Sequence, residues 1–162
     1  TDGATPNADK LREEMSKIGY KEKGEEISNG GDITKEMAEY SIAVLKKIKE
    51  LYPKLNIRVT GGNDAFHQKL TYNSRHKKGT GLDFVISPST KKDVEDVEEI
   101  LKGFAAGGGG RARYINEYKS PTKAASGFHF HISWGLGTES QAALNTAIAD
   151  AQAGKISVYK IA

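Results

Sequence analysis

Two short stretches of this chain carry residue types that bind metal and move protons. SRHKKGTGLDF at 74–84 sets His76 and Asp83 seven residues apart across two glycines, and FHFHIS at 128–133 sets His129 and His131 two apart. Imidazole and carboxylate together suit a tetrahedral, borderline-soft Zn²⁺, and three protein ligands leave its fourth position for water, which is the design of a catalytic site. A lone histidine is ordinarily a structural or surface residue. Here all four histidines fall between 67 and 131, outside the amphipathic helices described below, and that concentration points to convergent ligands. The chain has no cysteine, so any metal must be held by His, Asp or Glu, and no disulfide framework supports the fold.

The elements around these residues must bring them together. In an extended strand residues two apart share a face, so His129 and His131 stand on one side and Phe128, Phe130 and Ile132 on the other. The same alternation in LDFVIS at 82–87 sets Asp83 and Val85 opposite Leu82, Phe84 and Ile86, so this strand also buries alternate residues and presents its acid outward. His76 precedes Asp83 by a stretch that would span roughly 23 Å if extended. The loop must therefore fold back, and Gly79 and Gly81 supply the positive-φ conformations of a tight return.

At 162 residues the chain is one domain with a core of its own, spanning residues 1–162, with a flexible tail up to Pro6 or Asn7. Leu11, Met15 and Ile18 recur at helical spacing up to Gly19, and KEKGEEISNGGDI after them reads as a polar, glycine-interrupted loop. Thr34 is the expected N-cap of a helix carrying Met37, Ile42, Leu45, Ile48 and Leu51, which Pro53 ends. LNIRVT at 55–60 reads as a strand broken by Gly61-Gly62. Ser89 is expected to begin an acidic-first helix with Val94, Val97, Ile100 and Leu101 as its apolar stripe. The glycine run 107–110 reads as a flexible connector, 111–118 as an edge strand, 128–135 as a central strand, 138–154 as a helix, and ISVYKI as a last short strand. Strands grouped around a few helices, with no βαβ regularity and no repeat, predict an α+β fold with a small antiparallel sheet flanked by helices.

Composition narrows the function classes. A 37% hydrophobic and 28% charged chain, with no apolar run near about 20 residues, reads as neither membrane-spanning nor disordered. The net charge of +3 is spread over lysine pairs interrupted by acids, with no aromatic ladder between them, which argues against a nucleic-acid partner. The chain begins at Thr1 without a signal-like apolar segment and reads as a processed product or an excised domain. No heptad seam or large apolar patch is evident, so a monomer is expected.

Ser74-x-His76-x-x-Gly79-x-x-x-Asp83 closely resembles the Ser-x-His-x-x-Gly-x-Ala-x-Asp signature of the LAS zinc peptidases, the group of lysostaphin-type peptidases, D-Ala-D-Ala peptidases and the hedgehog signalling domain. His129-x-His131 resembles their second motif, His-x-His, and order and spacing are kept over roughly residues 55–135. The resemblance implies a LAS/hedgehog-like fold in which His76, Asp83 and His131 bind zinc and His129 assists catalysis. It implies amide hydrolysis by a zinc-activated water, with the pKa of that water lowered to about 7. His129 would accept the water's proton or stabilise the oxyanion, with His67 as a second helper. Ser74 would hydrogen-bond substrate or fix its loop, and Arg75 would contribute electrostatically to substrate binding.

Two departures move the expectation away from D-Ala-D-Ala cleavage. The catalytic glutamate that those peptidases carry three residues before the last zinc histidine is here Phe128, leaving His129 as the base and Glu117 as a distant fallback. Their Ser-Gly-Tyr-Arg, whose arginine binds a substrate carboxylate, is replaced by Gly61-Gly62-Asn63-Asp64. Gly81 also stands where the signature has alanine. What the resemblance implies is a zinc peptidase acting on peptidoglycan stem peptides in the bacterial cell wall or periplasm, of the kind found in phage lytic enzymes and virion proteins. Two other readings are kept: a non-catalytic zinc-binding module, and a structural virion or wall-binding domain with a vestigial site.

Overall fold

The computed structural model describes residues 6–63, 79–107, 112–118 and 128–134. Among them lie three helices, α1 (Asn7–Lys17), α2 (Lys35–Leu51) and α3 (Lys91–Gly107), and five strands, β1 (Lys21–Glu22), β2 (Asn56–Gly61), β3 (Gly81–Ser87), β4 (Ala112–Asn116) and β5 (Phe130–Trp134). The strands form one sheet in the order β1-β2-β3-β5-β4. The α+β class is as expected, but the sheet is mixed: β1 pairs parallel to β2, and every other pairing is antiparallel. The two-residue β1 sits inside the segment read as a loop, whose lysines and glycines hide so short a strand from any periodicity test.

Hydrophobic alternation explains the sheet. Ile57 and Val59 of β2, Leu82, Phe84 and Ile86 of β3, and Phe130, Ile132 and Trp134 of β5 all bury on the face carrying the core. Phe84 and Phe130, directly paired across β3 and β5, stack with ring centroids 5.5 Å apart. Helix α2 packs on α1, α3 and β5. At its centre Tyr40 meets Phe104 of α3 edge-on at 5.6 Å and Trp134 of β5 at 5.2 Å, so one ring joins two helices to the sheet.

The helix starts follow capping chemistry. Thr34 accepts a hydrogen bond from the Met37 amide at 3.1 Å, as expected for an N-cap. For α3 the cap is Thr90 rather than Ser89: the Asp93 amide donates to Thr90 Oγ1 at 3.2 Å, and the Thr90 amide returns a bond to Asp93 Oδ2 at 3.1 Å, a reciprocal box that Ser89 stands one residue too early to make. Helix α1 starts at Asn7, and its cap is remote in sequence. Asp32 accepts from the amides of Asn7 at 3.0 Å and Ala8 at 2.9 Å, a satisfaction of helix-end donors that only the tertiary fold supplies.

The segment between β1 and α2 is bound into place and braces the chain just after β2 and just before β3. Arg12 grips Glu22 with two bonds, at 2.7 and 3.1 Å, and reaches Ser28 at 2.8 Å. Beyond β2, the Asn63 amide donates to Ile27 O at 2.9 Å and its side-chain amide to Asp32 O at 2.8 Å. Before β3, Gly79 O accepts from the Thr34 amide at 3.0 Å. The residues on either side of 64–78 are thus tied to the same segment, 27–34.

Candidate metal centre and its acid-histidine cluster

Register places the site residues. A row runs across four strands on the face opposite the core: Gly61 pairs with Asp83, Asp83 with His131, and His131 with Ile115. The β2 register shifts between Val59 and Gly61, so glycine rather than a side chain stands beside Asp83 in that row. Directly opposed residues of an antiparallel pair have close Cβ atoms, and short side chains there meet without reaching. Asp83 Oδ1 and His131 Nδ1 are 2.9 Å apart.

His129 joins from just before β5. Its Nε2 lies 3.5 Å from Asp83 Oδ2, so the two histidines meet different oxygens of one carboxylate. The same Nε2 lies 3.5 Å from Glu117 Oε2. All four side chains are largely withdrawn from solvent, at 12% exposure for Asp83, His129 and His131 and 8% for Glu117. The expectation that β3 presents Asp83 outward holds for direction but not for exposure.

Glu117, weighed from sequence as a distant fallback, is thus part of the cluster. Sequence distance misleads here because β4 and β5 are adjacent, and the Glu117 amide donates to His129 O at 3.0 Å. The usable signal was an acid at the end of a strand that pairs with the histidine strand. Phe128, placed by alternation on the buried face, is 62% exposed; it precedes the first residue of β5 and stacks on Tyr118 at 6.3 Å instead of entering the core.

Gly79 takes φ +72°, the positive-φ return expected of it, and a Cβ there would stand 2.8 Å from Asp32 O. Gly81 does not share that role: it is the first residue of β3, paired with Ser133, and is not among the positive-φ glycines. Gly62 abuts Ile27, whose carbonyl oxygen would be 2.5 Å from any Cβ. Asn63 is buried and braces the neighbouring segment, so this stretch has a structural task in this chain.

Of the expected zinc ligands, Asp83 and His131 converge, and His76 lies outside the described residues, as do His67, Ser74 and Arg75. The expected helix 138–154, the strand in ISVYKI and the glycines 108–110 also lie outside them; Gly107 ends α3. Among the described residues no group of three His, Asp or Glu side chains is arranged to hold a metal ion. The donor pair itself fits one. Ligands at about 2.0–2.1 Å on a tetrahedral zinc stand roughly 3.3 Å from each other. Asp83 and His131, on adjacent hydrogen-bonded strands, need little movement to share such an ion. Among the described residues no helix is long and apolar enough to cross a membrane. Comparison with protein-family models, with curated proteins and with solved structures finds no match to this chain.

Proposed function

We propose that this chain is a zinc-dependent hydrolase of amide bonds in bacterial cell-wall peptides, with a LAS-like arrangement of His76, Asp83 and His131 as ligands. The observation that carries the reading is the cross-strand pairing of Asp83 with His131, with His129 against the same carboxylate. Zinc, when bound, supplies a Lewis acid that activates water and polarises the scissile carbonyl. His129 stands beside the donor pair, where it accepts the proton released from water or donates to the oxyanion. Its partial burial excludes bulk water, which strengthens such contacts. His67, Ser74 and Arg75 complete the proposal as a second helper and as substrate contacts. The site of action is the cell wall or periplasm, with the chain acting as a monomer, alone or as part of a larger virion protein.

Two paired measurements test this: metal content by mass spectrometry, and release of new amino termini from purified peptidoglycan with and without chelator. Stoichiometric zinc and chelator-sensitive release are expected. Bound zinc without such release would sink the peptidase reading and leave the non-catalytic zinc module, which the replacement of the peptidases' glutamate by Phe128 favours. No bound metal would sink both.

A further inference from the structure

We propose that Glu117 is the positioning residue for His129, holding its ring so that one nitrogen keeps a defined orientation at the site. This rests on the reading that His129 assists there, although the contact itself stands apart from that reading. Glu117 Oε2 lies 3.5 Å from His129 Nε2, and the two residues are also joined through the backbone, Glu117 N to His129 O at 3.0 Å. A side chain can orient another only if its own position is determined, and Glu117 meets that condition. The Tyr118 amide donates to Asn116 Oδ1 at 3.0 Å, and the Tyr118 hydroxyl accepts from the Ile86 amide of β3 at 3.1 Å. The Tyr118 ring lies against Phe130 at 5.1 Å and Phe128 at 6.3 Å. The turn carrying Glu117 is therefore pinned to β3 and β5 on both sides of the carboxylate.

Glu117 is buried, and a buried carboxylate is costly unless it is paired. Asp83 approaches the same His129 nitrogen at the same distance, but Asp83 also serves His131 and is a proposed ligand. A single N–H directs itself well at one acceptor, and with Asp83 engaged Glu117 is the other carboxylate within reach of this nitrogen among the described residues. A separation of 3.5 Å is longer than a good hydrogen bond, and contacts of this kind commonly tighten when a site is occupied. A carboxylate that fixes a histidine's tautomer and ring angle is a recurrent device around metal-bound histidines, where its loss costs about 10- to 100-fold, and a comparable loss is expected for a histidine that moves a proton.

The test uses Glu117→Met, which keeps length and apolar volume but removes the charged acceptor, and Glu117→Gln, which keeps a neutral one. The readout independent of turnover is the His129 ring in nitrogen-correlated NMR of the metal-free protein in an Asp83→Ala background, where Asp83 no longer competes for the same nitrogen. One dominant tautomer is expected in the parent and in Glu117→Gln, and a mixture in Glu117→Met. With zinc loaded, Glu117→Met should hold metal at parent stoichiometry and lose roughly 10- to 100-fold in kcat with KM little changed, and Glu117→Gln should recover most of that loss. An unchanged His129 ring in Glu117→Met overturns the proposal, as does loss of zinc, which would make Glu117 a ligand. If Glu117→Met fails to fold, Glu117→Ala takes its place with the same reading: a released ring supports the proposal and a ring held in one tautomer overturns it. If the protein cleaves no peptide at all, the functional reading fails while the NMR result still decides this one.

Discussion

Asp83 and His131 face one another across adjacent antiparallel strands, in direct register, with Oδ1 and Nδ1 2.9 Å apart. Their meeting is set by backbone pairing, because a slip of one residue in β3 or β5 would turn a whole strand over and send the acid or the histidine into the core. The buried Phe84–Phe130 stack beside them holds that register.

On the proposed division of labour, Asp83→Ala and His131→Ala should each lose most bound zinc, as measured by mass spectrometry of the purified protein. His129→Ala should retain most of the zinc and abolish turnover. Loss of metal from His129→Ala would show that the roles of the two histidines are reversed.

Glycine is required on either side of 64–78 for two different reasons. Gly79→Ala combines a φ of +72° with a Cβ 2.8 Å from Asp32 O, and should destabilise by about 1–3 kcal/mol. Gly62→Ala, with a Cβ only 2.5 Å from Ile27 O, forces backbone apart and should destabilise by at least about 1 kcal/mol. Urea midpoints of the two variants check this, and parent-like midpoints would mean that the segment 27–34 yields easily.

Phenylalanines two residues apart should differ sharply. Phe130→Ala removes a fully buried ring stacked on Phe84 and should cost about 3–5 kcal/mol. Phe128→Ala removes an exposed ring resting on Tyr118 and should cost less than about 1 kcal/mol. Equilibrium unfolding of both variants measures the difference, and similar costs would show that Phe128 is buried in solution.

Buried tyrosines set an alkaline limit. Burial holds the Tyr20 and Tyr40 hydroxyls well above the ordinary value of 10.0, Tyr114 is pushed up to about 12 by burial and then by Glu98, and Tyr118 is raised by burial against the opposing Ile86 amide. The fold favours the protonated phenol, so this contribution is complete below the unfolded value of 10.0 and is lost as pH rises through the higher folded values. Stability from chemical unfolding should therefore decline above about pH 10. Tyrosinate absorbance should complete its rise only with loss of helical signal; full ionisation of a still-folded protein would contradict the burial argument.

The α+β class, the three described helices, four of the five strands and the core face of each central strand were legible in the sequence, because period 3.6 and period 2 are printed directly in Leu11, Met15, Met37, Leu45, Ile57, Phe84 and Ile132. Local chemistry was legible too: Thr34 as a cap and Gly79 as a positive-φ return are decided within a few residues. What only the tertiary structure decided has a common cause, which is that it depends on partners distant along the chain. Asp32 caps α1 from 24 and 25 residues away, the short β1 exists because β2 offers it a parallel edge, and Gly62 is needed because Ile27 passes against it. Glu117 belongs with His129 for the same reason. Sequence alone determined that this protein holds residue types capable of metal and proton chemistry, and the register of β3, β5 and β4 decided which of them meet, since strand pairing converts long sequence separations into contacts of a few ångströms.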